Sequence, residues 1–264
     1  MGVNKEIILD GKKIRYQVTG SGSPVLLVHG FGETGEVWKH QVEFFQDKFQ
    51  LIVPDLPGSG GSESIPDISM EGMAEVIKAI ADTEITPPFT LIGHSMGGYI
   101  ALAFAEKYPS SLKAFGLFHS SAYADSEDKK ATRRKGIEFI REHGAFAFLK
   151  TSTPNLFSPV TKSENQALID DFIAKLSQFS PESLISYYEA MMKRPDRTAI
   201  LKNTPVPVLF ILGESDTAIP LADGLEQSHL PGISDILILR KSGHMGMLEE
   251  TGKCNDYLQA FLSL

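Results

Sequence analysis

Six apolar runs punctuate this chain, at PVLLVHG (24–30), QLIVPD (50–55), FTLIGH (89–94), KAFGLFH (113–119), VPVLFILG (206–213) and DILILR (235–240). They are continuously apolar and β-branched rather than alternating, which is the pattern of strands covered on both faces. Between them lie segments of helical periodicity. Met70, Met73, Ala74, Ile77, Ile80 and Ala81 form one stripe, and residues 246–262 form a terminal one. Alternation of this kind predicts a parallel sheet with right-handed crossovers. Two further strand-like runs, 6–10 and 13–19, meet at Asp10-Gly11, a strong hairpin signal, so the sheet is expected to begin antiparallel and to hold eight strands.

The alternation stops between about 121 and 200. Ile169, Phe172, Ile173 and Leu176 mark one amphipathic helix there, and Leu184, Tyr188, Met191 and Met192 mark another that must end by Pro195. This block reads as a helical insertion over the sheet. A (β/α) barrel fits poorly, since neither the opening hairpin nor one large helical block belongs to it.

Composition narrows the function classes. A formal charge of -8 argues against nucleic acid as a partner, because phosphate binding needs a basic face. The short run Arg133-Arg134-Lys135 is followed by Glu138 and Glu142 and reads as a solvated helix face. Cys254 is the single cysteine, so no intrachain disulfide forms; its spacing from Tyr257, Leu258 and Phe261 suggests a core position. No stretch suits a signal peptide or a membrane span, and the expectation is a cytoplasmic protein. The seven histidines and the cysteine show no zinc spacing, and no cofactor or metal is expected. The glycines at 58, 60 and 61 lack the Lys-Ser or Lys-Thr of a phosphate loop and read as a turn.

The chemistry concentrates where the third run ends. Gly93-His94-Ser95-Met96-Gly97 has the G-x-S-x-G pattern, in which a serine sits on a strained strand-to-helix turn and the flanking glycines relieve crowding across it. A serine nucleophile needs a base, and the base needs an acid to fix its tautomer. His244, in KSGHMGM just after the last strand, is the best base; Asp216, three residues past Gly213, is the best orienting acid. Asp125 is the alternative acid, but it lies in the polar run Asp125-Ser126-Glu127-Asp128, which reads as the solvated entry to the insertion. Two backbone N–H donors for an oxyanion are expected from Met96, at the first turn of the following helix, and from Phe31 in the tight loop HGFG.

Taken together, HGFG at 29–32, DLPGSGGSE at 55–63, GHSMGG at 93–98, GESD at 213–216 and SGHMGMLEE at 242–250 give the chain a pattern that resembles the α/β-hydrolase fold family, in particular its capped serine-hydrolase branch. The resemblance spans essentially the whole chain. It implies an α/β-hydrolase core at 1–120 and 198–264, a helical cap at 121–197, and the same roles for Ser95, His244, Asp216, Phe31 and Met96. Position 95 being serine sets aside the dehalogenases and epoxide hydrolases of this fold, which use an aspartate. Glu33 gives the HGxGE opening shared by monoacylglycerol lipases, although the long insertion looks more like the smaller esterases and carbon-carbon hydrolases. Substrate contacts are expected from Trp38, from His119 at a strand end, and from Phe172, Tyr188 and Met192 in the insertion. The function so implied is cleavage of a small-molecule carboxylic ester or thioester of a small to medium apolar acyl group through an acyl-enzyme. The alternatives are a carbon-carbon hydrolase, lyase or perhydrolase with the same triad, or a receptor-like binder with little turnover.

Overall fold

The computed structural model describes residues 2–86 and 88–264. Its centre is one eight-stranded sheet in the order β1-β2-β4-β3-β5-β6-β7-β8. The strands are β1 (Val3–Leu9), β2 (Lys12–Thr19), β3 (Ser23–Val28), β4 (Phe49–Pro54), β5 (Phe89–His94), β6 (Leu112–Phe118), β7 (Val208–Gly213) and β8 (Ser234–Leu239). β1 and β2 pair antiparallel, as do β2 and β4; every other neighbouring pair is parallel. The hairpin turns through Asp10 and Gly11, both at positive φ (49° and 75°), the conformation that suits a two-residue turn between twisted strands. β7 begins two residues later than the apolar run suggests, because Pro205 and Pro207 have no N–H to give to a ladder.

Among the described residues, twelve α-helices surround the sheet: α1 (Lys39–Phe45), α2 (Met70–Glu84), α3 (Met96–Lys107), α4 (Glu127–His143), α5 (Ala145–Ser152), α6 (Pro159–Glu164), α7 (Gln166–Ala174), α8 (Pro181–Lys193), α9 (Thr198–Asn203), α10 (Leu221–Ser228), α11 (Gly246–Glu249) and α12 (Thr251–Leu262). The α2 stripe is buried as its spacing requires, and Ser69 caps the helix by accepting from the Gly72 amide. α3 is apolar all round and buried from Met96 to Ala105, which places it at the centre of the molecule. Two hydrophobic clusters result, one on each face of the sheet. The first joins α2 and α3 to the sheet, and the second takes in Trp38, Phe45, Phe118 and the α12 residues Cys254, Leu258 and Phe261.

Helices α4 to α9 lie between β6 and β7 with no strand among the described residues. Their entry is not solvated as its composition suggests. The Asp125 side chain is wholly buried between two guanidinium groups, Arg133 Nε at 2.6 Å and Arg194 Nη1 at 2.8 Å. Arg133 therefore belongs to this ion cluster rather than to a solvated helix face. Arg194 lies over the Tyr99 ring, 3.8 Å from its centroid, and donates to the Tyr123 carbonyl. The Arg197 amide donates to the Ala122 carbonyl, so both ends of the insertion are tied together. No helix among the described residues is long and apolar enough to cross a membrane.

Candidate active site

β5 ends at His94 and α3 starts at Met96, leaving Ser95 as the single residue of the turn. Its φ of 51° is in the left-handed region that a side chain enters only at a cost of order 1–3 kcal/mol. The surroundings hold it there. The Ser95 amide donates to Phe118 O at 2.9 Å, and the Ser120 hydroxyl donates to Ser95 O at 2.7 Å. Gly93 and Gly97 are obligatory: a Cβ on Gly93 would run into the Gly97 carbonyl, and one on Gly97 into the Val28 and His29 carbonyls. Ser95 remains partly exposed while its neighbours are buried. Its hydroxyl makes no hydrogen bond with α3, whose first turn it precedes.

Asp216 and His244 follow β7 and β8 and meet at the same edge. Asp216 Oδ1 accepts from the amides of Ala218 (2.8 Å) and Ile219 (2.9 Å), which fixes the carboxylate plane, and Oδ2 lies 2.8 Å from His244 Nδ1. Burial alone would raise this carboxyl. The adjacent His244 and His119 outweigh it and hold the group well below the usual carboxylate range, so Asp216 is an anion. Nδ1 of His244 accordingly carries a proton and Nε2 is left as the basic nitrogen. The His244 loop is pinned from several sides. Its amide donates to Leu156 O in the insertion, and Glu249 Oε1 accepts from the Gly243 and Met245 amides. Glu249 Oε2 accepts from the Ser158 amide and the Thr161 hydroxyl, so one carboxylate joins the loop to α6.

Facing the elbow is the loop after β3. The amides of Phe31 and Met96 have no acceptor within the protein among the described residues, whereas the Gly30 amide is taken by Glu33 Oε2 at 2.7 Å. Phe31 stacks on Tyr188 of α8 with ring centroids 4.3 Å apart. Beside it lies a cavity of about 90 Å³ lined by Phe31, Gly32, Glu33, Leu149, Ser152, Thr153, Leu156, Phe172 and Tyr188. Neither this cavity nor a larger open groove of about 300 Å³, between Val160, Lys241 and Glu249, is lined by Ser95, Asp216 or His244; the smaller one adjoins the site through Phe31.

The structure thus brings Ser95, Asp216, His244, Phe31 and Met96 to one sheet edge, with Phe172 and Tyr188 on the cavity wall. Three other residues lie elsewhere in the site than a substrate contact requires. Trp38 is wholly buried in the second hydrophobic cluster, edge-on to His94 and Phe118, because the turn Gly35–Trp38 tucks it under the loop. His119 is also wholly buried. Its Nε2 accepts from the Gly246 amide, so its proton sits on Nδ1, 3.2 Å from Asp216 Oδ2. Burial pushes its pKa down to about 4, so it is neutral and supports the acid rather than a ligand. Met192 sits one turn beyond Tyr188 and does not line the cavity. Sequence reasoning missed Leu149, Ser152, Thr153 and Leu156 as wall residues, and it missed Glu249; only the position of Glu249 five residues after His244 could have drawn notice. Among the described residues, His119, Asp216 and His244 are the one group of three side chains close enough to share an ion, and they already engage one another around the Asp216 carboxylate.

The α/β hydrolase fold family matches residues 23–135. An esterase from Thermogutta terrifontis has the same architecture, with a TM-score of 0.92 and 30% identity over 99% of this chain and 98% of that one. The chain belongs to the α/β-hydrolase fold family. It is 27% identical to the pimeloyl-(acyl-carrier protein) methyl ester esterase of Nitrosomonas europaea, covering 93% of this chain and 99% of the relative. It is also 27% identical to the 2-hydroxy-6-oxononadienedioate/2-hydroxy-6-oxononatrienedioate hydrolase of Paraburkholderia phymatum, covering 95% and 91%.

Proposed function

We propose that this α/β-fold hydrolase cleaves carboxylic esters of short, neutral acyl groups through a serine-bound acyl intermediate. The observation that carries the reading is the Asp216–His244 contact at 2.8 Å, set at the same edge as a strained, partly exposed serine. In this reading Ser95 Oγ attacks the ester carbonyl as His244 Nε2 takes its proton. Asp216 stabilises the imidazolium that forms. The tetrahedral oxyanion is received by the free amides of Phe31 and Met96, where loss of one donor in a known serine protease costs about 3 kcal/mol. Collapse breaks the bond to the alkoxy group, which leaves with the proton from His244. Water then attacks the acyl-serine, giving its proton to His244, and the acid is released as Ser95 is reprotonated.

The wall of the cavity argues for the acyl group. At about 90 Å³ it has room for a few heavy atoms beyond the carbonyl. Its lining residues are apolar apart from the hydroxyls of Ser152, Thr153 and Tyr188 and the Glu33 carboxylate, and it offers no cation to an acyl chain ending in a carboxylate. This favours a short neutral ester over a dicarboxylic carbon-carbon substrate. Residues 121–197 act here as the cap that sets chain length. The test is a panel of p-nitrophenyl esters from acetate to decanoate, run on the intact protein and on Ser95→Ala. Turnover greatest for the short esters and abolished in Ser95→Ala is expected. Turnover that survives in Ser95→Ala, or none at all in the intact protein, refutes the reading.

A further inference from the structure

Beneath the elbow lies a pair of charged residues that the hydrolytic steps do not use. Glu33 is 3% exposed and His94 is wholly buried. Glu33 Oε2 stands 2.9 Å from His94 Nδ1, and His94 Nε2 stands 2.9 Å from the carbonyl oxygen of His244. Both ring nitrogens therefore face acceptors. A neutral imidazole has one N–H and would turn a lone pair on one of these oxygens. Only two arrangements satisfy the contacts: an imidazolium beside a carboxylate, or a neutral ring accepting from a protonated Glu33. The Gly30 amide selects between them, because it donates to the same Oε2 at 2.7 Å and so favours charge on that oxygen.

We propose that Glu33 and His94 form a buried ion pair, with His94 protonated on both nitrogens, whose role is to position the oxyanion loop and the base loop about Ser95. This rests on the esterase reading given above. Glu33 holds Gly30, whose peptide immediately precedes the free Phe31 amide. His94 adjoins Ser95, and its far nitrogen holds the backbone of His244. Three loops from the ends of β3, β5 and β8 are thus tied by one carboxylate and one ring. The fit is close: a Cβ on Gly30 would stand 3.0 Å from His94 Nδ1 and 3.1 Å from both Glu33 Oε2 and Ser95 Cβ. Displacement of a donor or base by a fraction of an ångström is what such ties prevent, and misplacement of that order is costly to rate.

The electrostatic surroundings agree. Burial works against charge on both partners, yet their mutual attraction leaves Glu33 below and His94 above their ordinary values. The other titratable groups around His94 are Asp216, an anion; His244, whose ring centroid is 4.9 Å away; His119, neutral and 6.1 Å away; and His29. Burial lowers His29, whose Nε2 accepts from the Leu56 amide, so it too is neutral.

The experiment has two arms. In the first, ¹⁵N NMR of the intact protein labelled at histidine is expected to show one histidine with both ring nitrogens protonated at about pH 7.5, where free imidazole is mostly neutral. That signal should vanish in His94→Gln. A His94 ring with one bare nitrogen overturns the proposal, and this readout stands whether or not the protein turns over esters. In the second arm, Glu33→Gln should lower kcat on the best ester about tenfold or more with KM within about twofold, and slow labelling of Ser95 by a fluorophosphonate in proportion. Glu33→Asp should recover part of the loss. An unchanged kcat and labelling rate, or a loss confined to KM, overturns the positioning role. Absence of any turnover in the intact protein, with the NMR signal present, would instead sink the esterase reading alone.

Discussion

Replacing Asp216 by asparagine tests the relay at its most constrained atom. The amides of Ala218 and Ile219 both donate to Oδ1, so the asparagine carbonyl oxygen is held at that position. Its NH2 group then takes the place of Oδ2, facing Nδ1 of His244 and Nδ1 of His119. His119 cannot adapt, because its Nε2 already accepts from the Gly246 amide. His244 can adapt only by moving its proton to Nε2, which removes the base. Rotating the amide restores the useful tautomer but turns NH2 against two backbone donors. Losing two buried hydrogen bonds costs about 2–6 kcal/mol. At about 1.4 kcal/mol per decade, the competent tautomer falls by roughly thirtyfold to twenty-thousandfold, before the loss of the anion that stabilises the imidazolium is added. A kcat decrease of at least about a hundredfold is therefore expected, in line with the roughly ten-thousandfold effect of the same change in a known serine protease. The assay is steady-state hydrolysis of the best p-nitrophenyl ester, with thermal melting to confirm folding. A folded Asp216→Asn protein within tenfold of the parent kcat would refute the tautomer argument.

Asp125→Asn should change kcat by less than about threefold and instead destabilise the fold by about 3–5 kcal/mol, since it leaves the buried Arg194 and the partly buried Arg133 without their anion; denaturant melts and kinetics on one sample separate the two, and a kcat loss without a stability loss would make Asp125 the acid. Leu149→Ala should enlarge the cavity and raise the kcat/KM ratio of octanoate to acetate esters several-fold, whereas an unchanged ratio would remove the insertion from acyl selection. His119 ties stability to pH: its folded pKa near 4 lies below the unfolded value of about 6.5, so the unfolded chain binds the proton first and stability is lost as pH falls from about 6.5 toward 4. The full span is worth about 3 kcal/mol, and urea midpoints at about pH 6.5 and 4.5 should converge in His119→Gln; equal slopes in parent and variant would show that His119 does not stay neutral.

Most of the sheet was legible because β3 to β7 are buried, which makes them continuous apolar runs that end where turns begin, while the more exposed β1 and β2 were found from their hairpin turn; the strands lie within about three residues of the runs. The site was legible for a related reason. In a parallel sheet the residue just past each strand falls on one edge, so Ser95, Asp216 and His244 could be paired from spacing alone. What escaped was every interaction whose partner lies far along the chain. Asp125 sits in a polar run and looks solvated, but Arg194, at the other end of the insertion, neutralises and buries it. Glu33 and His94 are 61 residues apart, and neither has a local pattern that announces an ion pair. α4 was read only as a solvated helix face, because its sequence is mostly charged and only Gly136, Ile137 and Ile140 are buried.

Backbone strain in the molecule has a distribution that bears on how the elbow persists. Of the described non-glycine residues at positive φ, Asp10 is in the hairpin turn, and the other two, Ser95 and His119, sit directly after the adjacent strands β5 and β6. Each is held by the next strand. The Ser95 amide donates to Phe118 O at the end of β6, and the His119 amide donates to Ile211 O in β7. The ladder thus continues one bond past the regular strand and fixes the backbone at the strained residue, so relaxing either φ would cost a buried hydrogen bond of about 1–3 kcal/mol as well as the packing above it. The same twist sends the two side chains different ways at one sheet edge: Ser95 is left partly exposed, and His119 lies buried beside Asp216. A substitution at Ser120, whose hydroxyl donates to Ser95 O, should therefore act on the elbow without touching substrate. Ser120→Ala removes that bond and leaves Asp216 and His244 in place, so slower fluorophosphonate labelling with an unchanged pH profile is the outcome this argument requires.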